Sequence, residues 1–165
     1  MKVDDKLTLI RNLMKEKNID AYIIPTSDPH QSEYVPSYWK GREWISGFTG
    51  SAGTIVITMD EAGLWTDGRY FIQAEEQLNG SEINLFRMGE PKVPSINKWI
   101  KNRLKNCSKV GFDGKLFSYS QVKSMKKVFD DKEIIIDSKH DLISDIWNKR
   151  PSLPKEKVFI HDIKY

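Results

Sequence analysis

A hairpin set among helices constrains this chain more than any other feature. Gly53-Thr54-Ile55-Val56-Ile57-Thr58 is β-branched and apolar, Asp60-Glu61-Ala62-Gly63 supplies a turn, and Leu64-Trp65-Thr66 resumes the apolar run. Two such runs so close together predict antiparallel strands. The segments on either side carry helical spacing or short apolar runs. The predicted fold class is therefore α/β, a mixed β-sheet flanked by helices.

Leu7, Ile10, Leu13 and Met14 recur at helical spacing and predict a surface helix over residues 4 to 17. Ala21 to Ile24 reads as a buried strand ended by Pro25. A polar loop from Thr26 to Ser37 follows, then a short helix from Trp39 to Ile45 that stops at Gly47. Beyond the hairpin the pattern predicts helices at 71–78, 95–104, 118–129 and 142–147, and strands at 83–88, 109–113 and 133–136. Trp44 and Trp65 are predicted core residues, and one of Tyr70 and Phe71 is expected to pack inward. Gly47, Gly50 and Gly53 suggest special backbone angles in a tight connection. Pro151-Ser152-Leu153-Pro154 is incompatible with helix, so residues 1–150 are expected to form the domain and 151–165 a linker, although Lys157 to Tyr165 has strand character.

With 165 residues, 30% of them charged, the chain suits one well-buried soluble domain. The net charge of +3 is spread along the sequence, and the cluster from Lys123 to Lys127 alternates with apolar residues as a solvated helix face does. Neither favours nucleic acid as a partner. No apolar run approaches the ~20 residues that span a bilayer, and the start lacks an apolar signal core. A cytoplasmic protein without a membrane partner is expected. Cys107 is the only cysteine, so no internal disulfide forms.

The motifs of catalysis are missing. His30, His140 and His161 are scattered, and no H-E-x-x-H occurs. Gly63 to Tyr70 has phosphate-loop glycine spacing but carries Arg69 and Tyr70 where lysine and a magnesium-binding hydroxyl are needed. The stretch around Ser51 fails the nucleophile-elbow pattern because Thr49 replaces the first glycine. No catalytic residue and no metal ligand is assigned.

Three collinear segments add a resemblance. They are Ala21-Tyr22-Ile23-Ile24-Pro25-Thr26-Ser27-Asp28-Pro29-His30-Gln31-Ser32-Glu33-Tyr34, Trp44-Ile45-Ser46-Gly47-Phe48-Thr49-Gly50-Ser51-Ala52-Gly53-Thr54 and Leu64-Trp65-Thr66-Asp67-Gly68-Arg69-Tyr70-Phe71-Ile72-Gln73-Ala74. Together they resemble the amino-terminal domain of aminopeptidase P, within the creatinase and prolidase superfamily, and the resemblance covers essentially the whole chain. It implies a creatinase-type amino-terminal fold with a ribonuclease H-like motif. It implies a parent Xaa-Pro aminopeptidase that releases the first residue of peptides whose second residue is proline, homodimeric as the full-length enzyme. Catalysis in that family belongs to a carboxy-terminal domain holding two divalent metals, commonly manganese, and this chain has no counterpart of it. The chain alone is thus expected to be inactive and free of cofactors.

The family arginine matching Arg69 reaches the substrate site, so Arg69 is the implied peptide contact. A guanidinium suits a peptide carbonyl or carboxylate, and Gly68 is expected to let the backbone turn sharply before it. From the residues alone, the simpler reading is a surface pair with Asp67 or Glu75. His30 and Gln31 are candidate interface residues facing the catalytic domain or a neighbouring subunit, with loop capping as the alternative for His30. A purely structural or interaction module, with no substrate contact, is the competing reading of the whole chain.

Overall fold

The first helix, α1 (Val3–Glu16), starts where the Lys2 N–H donates to the Asp5 carboxylate at 2.9 Å, and Asp4 and Asp5 complement the helix dipole. Leu7, Ile10 and Met14 face inward and are fully buried. The computed structural model describes residues 1–160 and 162–164; His161 and Tyr165, and with them part of the strand expected after Lys157, lie outside the described residues.

Along the chain follow β1 (Ala21–Pro25), α2 (Gly41–Ser46), β2 (Thr54–Thr58), β3 (Ala62–Thr66), α3 (Phe71–Leu78) and β4 (Ile83–Arg87). Then come α4 (Ile96–Arg103), β5 (Lys109–Gly111), α5 (Tyr119–Phe129), β6 (Ile135–Asp137) and α6 (Leu142–Ile146). The six strands form one mixed sheet in the order β4-β3-β2-β1-β5-β6. The β1–β2 and β2–β3 pairs are antiparallel, whereas β3–β4, β1–β5 and β5–β6 are parallel.

Strand alternation divides the core into two layers. Tyr22, Ile24, Ile55, Ile57 and Leu64 pack with residues of α1, α2, α3 and α6 on one face. Ala21, Ile23, Val56, Trp65 and Val110 pack with Trp99, Ile100, Met125 and Phe129 of α4 and α5 on the other. Burial of both faces explains why the central strands read as apolar runs rather than an in-out alternation.

Some boundaries shift for local reasons. A 3-10 turn at Ser37–Trp39 precedes α2, so the helix begins at Gly41 rather than Trp39. Glu133 adopts a left-handed backbone with φ of 52°, which delays β6 until Ile135. Of the three loop glycines only Gly47 has a left-handed backbone, with φ of 74°, where it caps α2 through a 2.9 Å bond to the Glu43 carbonyl. Gly50 is needed for space instead: a Cβ there would lie 2.3 Å from the Phe48 ring and 2.8 Å from Tyr70. Trp65 is buried as expected, but Trp44 is half-exposed and stacks on Trp147 with ring centroids 5.2 Å apart. From Pro151 onward the described residues form neither helix nor strand.

Candidate functional site

The topology brings the carboxyl ends of β1, β3 and β4 and the start of β2 to one end of the sheet, the end where open α/β sheets bind ligands. There the Thr66 hydroxyl closes β3 by donating to the Ala52 carbonyl at 2.7 Å. Asp67 caps the 3-10 turn Gly68–Tyr70 by accepting from the Arg69 N–H at 3.1 Å.

The same carboxylate takes the Arg69 side chain in a fork, with Nε and Nη2 each donating at 2.8 Å. Those bonds from Arg69 hold the Asp67 carboxyl at about 2, below the usual carboxylate range. Asp67 in turn raises the affinity of Arg69 for its proton. The guanidinium stays 68% exposed and lies 5.1 Å from the centre of the Tyr70 ring. Nη1 makes no hydrogen bond to the described residues, so it remains a free donor. The pairing with Asp67 read from the sequence is present; Glu75 instead accepts from Arg87 at 2.6 Å. Gly68 differs from expectation: its φ is not left-handed and a Cβ there would meet only Phe71, at 3.8 Å. The turn is set by the Asp67 cap.

Tyr70 is half-buried, and its hydroxyl lies 2.6 Å from that of Ser51 in the α2–β2 loop. The loop is anchored from beneath by Arg42, which no sequence motif marks. This guanidinium is 3% exposed; Nε donates to the Thr26 hydroxyl at 2.9 Å, Nη2 to the Gly50 carbonyl at 2.5 Å, and Nη1 to the Phe48 carbonyl. Burial draws its proton affinity down, to about 10. The signal available in the sequence was spacing: Arg42 precedes Ile45 by three residues and Ser46 by four, one buried face of α2. Thr49, on the outer side of the loop, accepts from Gln73 and Gln77 of α3 at 2.8 and 2.9 Å.

The loop after β1 is organised by Asp28. Burial opposes its charge, but N–H donors from Ser32 and His30 outweigh that and hold its carboxyl below the ordinary range. The His30 side chain is exposed, so capping in this loop is the work of Asp28. Gln31, with φ of 57°, turns its amide inward to donate to Ser27 at 2.8 Å and to the Leu116 carbonyl at 3.3 Å. Gln31, Ser51 and Asp67 thereby line one crevice, whereas His30 and Arg69 are not among its walls.

Among the described residues no group of three His, Cys, Asp or Glu side chains stands close enough to hold a metal ion, so the site does not fit a metal centre. His140, in the connection between β6 and α6, lies 3.8 Å from Asp137. No helix among the described residues is long and apolar enough to cross a membrane.

Residues 6–144 match the family model described as the Creatinase/Prolidase N-terminal domain. Over 99% of its length the chain is 48% identical to Aminopeptidase P2 of Arabidopsis thaliana, covering 24% of that protein. It is 39% identical to a probable Xaa-Pro aminopeptidase P of Coprinopsis cinerea over 97% of its length, covering 26% of the relative. The chain thus spans about a quarter of the length of the curated relatives it matches. Among solved structures, the X-prolyl aminopeptidase of Caenorhabditis elegans, described as a cytosolic enzyme with a di-nuclear active site, superposes with a TM-score of 0.90 at 32% identity, covering 99% of this chain and 28% of that one. The N-terminal domain of the peptidase PepQ from Mycobacterium tuberculosis shares the fold at a TM-score of 0.61 and 21% identity, covering 86% of this chain and 97% of that domain. The chain, with its mixed sheet and two helical layers, belongs to the creatinase/prolidase N-terminal domain family.

Proposed function

We propose that this chain serves as the non-catalytic amino-terminal domain of a cytoplasmic Xaa-Pro aminopeptidase, and that Arg69 supplies a peptide contact. Residues 1–150 form the working domain, and 151–165 lead to further domains. The metal pair and the bond-breaking chemistry belong to the remainder of the protein, where two divalent ions, manganese in this reading, act on peptides with proline in second place. The full-length protein works as a homodimer, with His30 and Gln31 at a domain or subunit boundary.

One observation carries the reading: a guanidinium at the ligand-binding end of the sheet is fixed by Asp67 through two of its nitrogens and keeps Nη1 free. A fork held in one orientation loses little further freedom when it meets a peptide carbonyl or carboxylate. The 48% identity to an aminopeptidase P supports the same reading. The alternative, a purely structural or interaction module, draws on the Asp67 pair itself, which already gives Arg69 a partner.

Arg69→Ala in a protein carrying both this domain and its catalytic remainder separates the two. Loss of a charged contact to substrate is expected to lower kcat/KM for an Xaa-Pro peptide by about tenfold or more, with assembly unchanged. Unaltered turnover selects the structural module. The isolated chain with added manganese is expected to release no amino acid from the same peptide, and clear release would place a catalytic site within it.

A further inference from the structure

Two chambers adjoin at the carboxyl ends of β1 and β3. One, of about 340 Å³, is bounded by Ser27, Gln31, Ser51, Thr66 and Asp67. The other, of about 480 Å³, runs between α4 and α5 past Asn97, Phe117, Ser124 and Met125. Pro25, Thr54, Met88, Ile96 and Gln121 belong to both, so they form one continuous crevice of ligand-cleft size.

Its chemistry departs from the rest of the molecule. Charged residues make up 30% of the chain, yet among the described residues Asp67 is the only ionisable side chain on the walls of either chamber, and Arg69 already neutralises it. Hydroxyls and amides alternate there with apolar floor. The side chains of Thr54, Asn97 and Ser124 make no hydrogen bond to the described residues, so their donors and acceptors are open to a ligand.

Three ligand classes are told apart by these walls. Phosphates and nucleotides find no lysine or arginine on these walls, only the backbone N–H groups at the start of α4. Sugars favour an open aromatic face, but Trp65 is stacked on Phe86 at 4.1 Å and Phe117 is packed on Phe112 at 4.3 Å. An extended peptide fits: uncharged polar groups pair with its N–H and C=O groups, while Met88 and Met125 adapt to varied side chains.

We propose that this crevice binds an uncharged, extended stretch of peptide. Resting on the reading of Arg69 as a peptide contact, that stretch is the part of the substrate downstream of its proline, and the crevice selects against acidic and basic residues there. A charge carried into it would lose water without gaining a counter-ion.

The test titrates the isotopically labelled chain with a doubly capped Ala-Ser-Met-Ala peptide and with versions carrying Glu or Lys in place of Ser. The neutral peptide is expected to shift the resonances of Thr54, Asn97, Gln121 and Ser124 at millimolar concentration, and the charged versions to bind about tenfold more weakly or worse. Asn97→Asp and Ser124→Asp, both at solvent-accessible positions, are expected to abolish those shifts while leaving the rest of the spectrum in place. Equal binding of all three peptides, shifts outside the crevice, or none at about 10 mM would overturn the proposal. Arg69→Ala keeps the two readings separate. Crevice binding that persists while Arg69→Ala turnover is normal removes the Arg69 contact alone; a silent crevice beside crippled turnover removes the crevice alone.

Discussion

Arg42 donates to the Phe48 carbonyl while its guanidinium lies 4.8 Å from the centre of the same residue's ring. One side chain thus fixes both the backbone and the side chain of Phe48, and with it the loop that carries Ser51 to Tyr70. Among the described residues no carboxylate lies within bonding distance of the buried cation; carbonyl and hydroxyl oxygens take its place.

Replacing Arg42 therefore leaves two carbonyls and the Thr26 hydroxyl short of a donor. Arg42→Met is expected to lower stability by about 2–4 kcal/mol. Arg42→Lys, which has a single nitrogen to offer, is expected to recover only part of that. Urea unfolding of the three proteins checks the order, and an Arg42→Met midpoint equal to the parent's would show that the carbonyls find other donors.

The Asp67–Arg69 fork has a pH signature. Asp67 titrates at about 2 in the folded chain, below the 3.8 expected without the fork. Its contribution is therefore complete above pH 3.8 and is lost as pH falls through about 2. Because Asp67 is well exposed, the effect on overall stability is expected to be small. Carboxyl chemical shifts followed against pH are expected to place Asp67 near 2, and Arg69→Gln is expected to return it to about 4. A midpoint unmoved by that substitution would assign the depression to the backbone cap instead.

Tyr22 ties β1 to α6. Its hydroxyl donates to the His140 carbonyl at 2.6 Å and accepts from the Leu142 N–H at 3.1 Å. Burial raises its pKa well beyond the ordinary phenol range. Tyr22→Phe orphans both backbone groups, and a loss of about 1–3 kcal/mol is expected, with faster amide exchange in α6. In an alkaline absorbance titration, Tyr22 is expected to stay neutral until the chain unfolds. An additional tyrosine ionising in the folded protein when Tyr22 is present, and not in Tyr22→Phe, would contradict this.

Gly63 sits in the middle of β3 because two rings need its space. A Cβ there would come within 2.6 Å of Phe86 and 2.8 Å of Trp65, the pair stacked at 4.1 Å. Gly63→Ala is expected to cost about 1–3 kcal/mol through overpacking, and Gly63→Val more. Near-ultraviolet circular dichroism reports the pair directly. An unchanged aromatic signal with unchanged stability would mean that the layer yields more readily than its geometry suggests.

Much of the scaffold was legible because local signals agreed with tertiary demand. Phe71–Leu78 carries helical spacing, Thr54–Thr58 is β-branched, and Ser118 and Gln121 cap α5 reciprocally at 2.7 and 3.3 Å. What escaped depends on distant partners. Arg42 sits among Lys40 and Glu43 and resembles a surface residue until the carbonyls of Phe48 and Gly50 converge on it. Gly50 and Gly53 look in the sequence like backbone-angle positions, yet Gly50 is needed for room beside Phe48 and Tyr70, and a Cβ at Gly53 would meet the Trp65 carbonyl at 3.2 Å, contacts visible only once the loop is folded. The inward turn of Gln31 toward Leu116 spans 85 residues of sequence, and no local pattern encodes it.

The strand order also carries a timetable. The β2–β3 hairpin and the β3-α3-β4 unit close over short stretches of chain, and β1 is already waiting beside β2. By contrast, Ala21 on β1 does not meet Val110 on β5 until nearly ninety further residues have been made. Closing so long a loop is the slow step of such a topology. On the ribosome, the four strands that hold Arg42, Ser51, Asp67 and Arg69 can settle first. The end of the sheet that carries the Asp67–Arg69 fork is thus assembled before the second half of the domain exists to pack beside it.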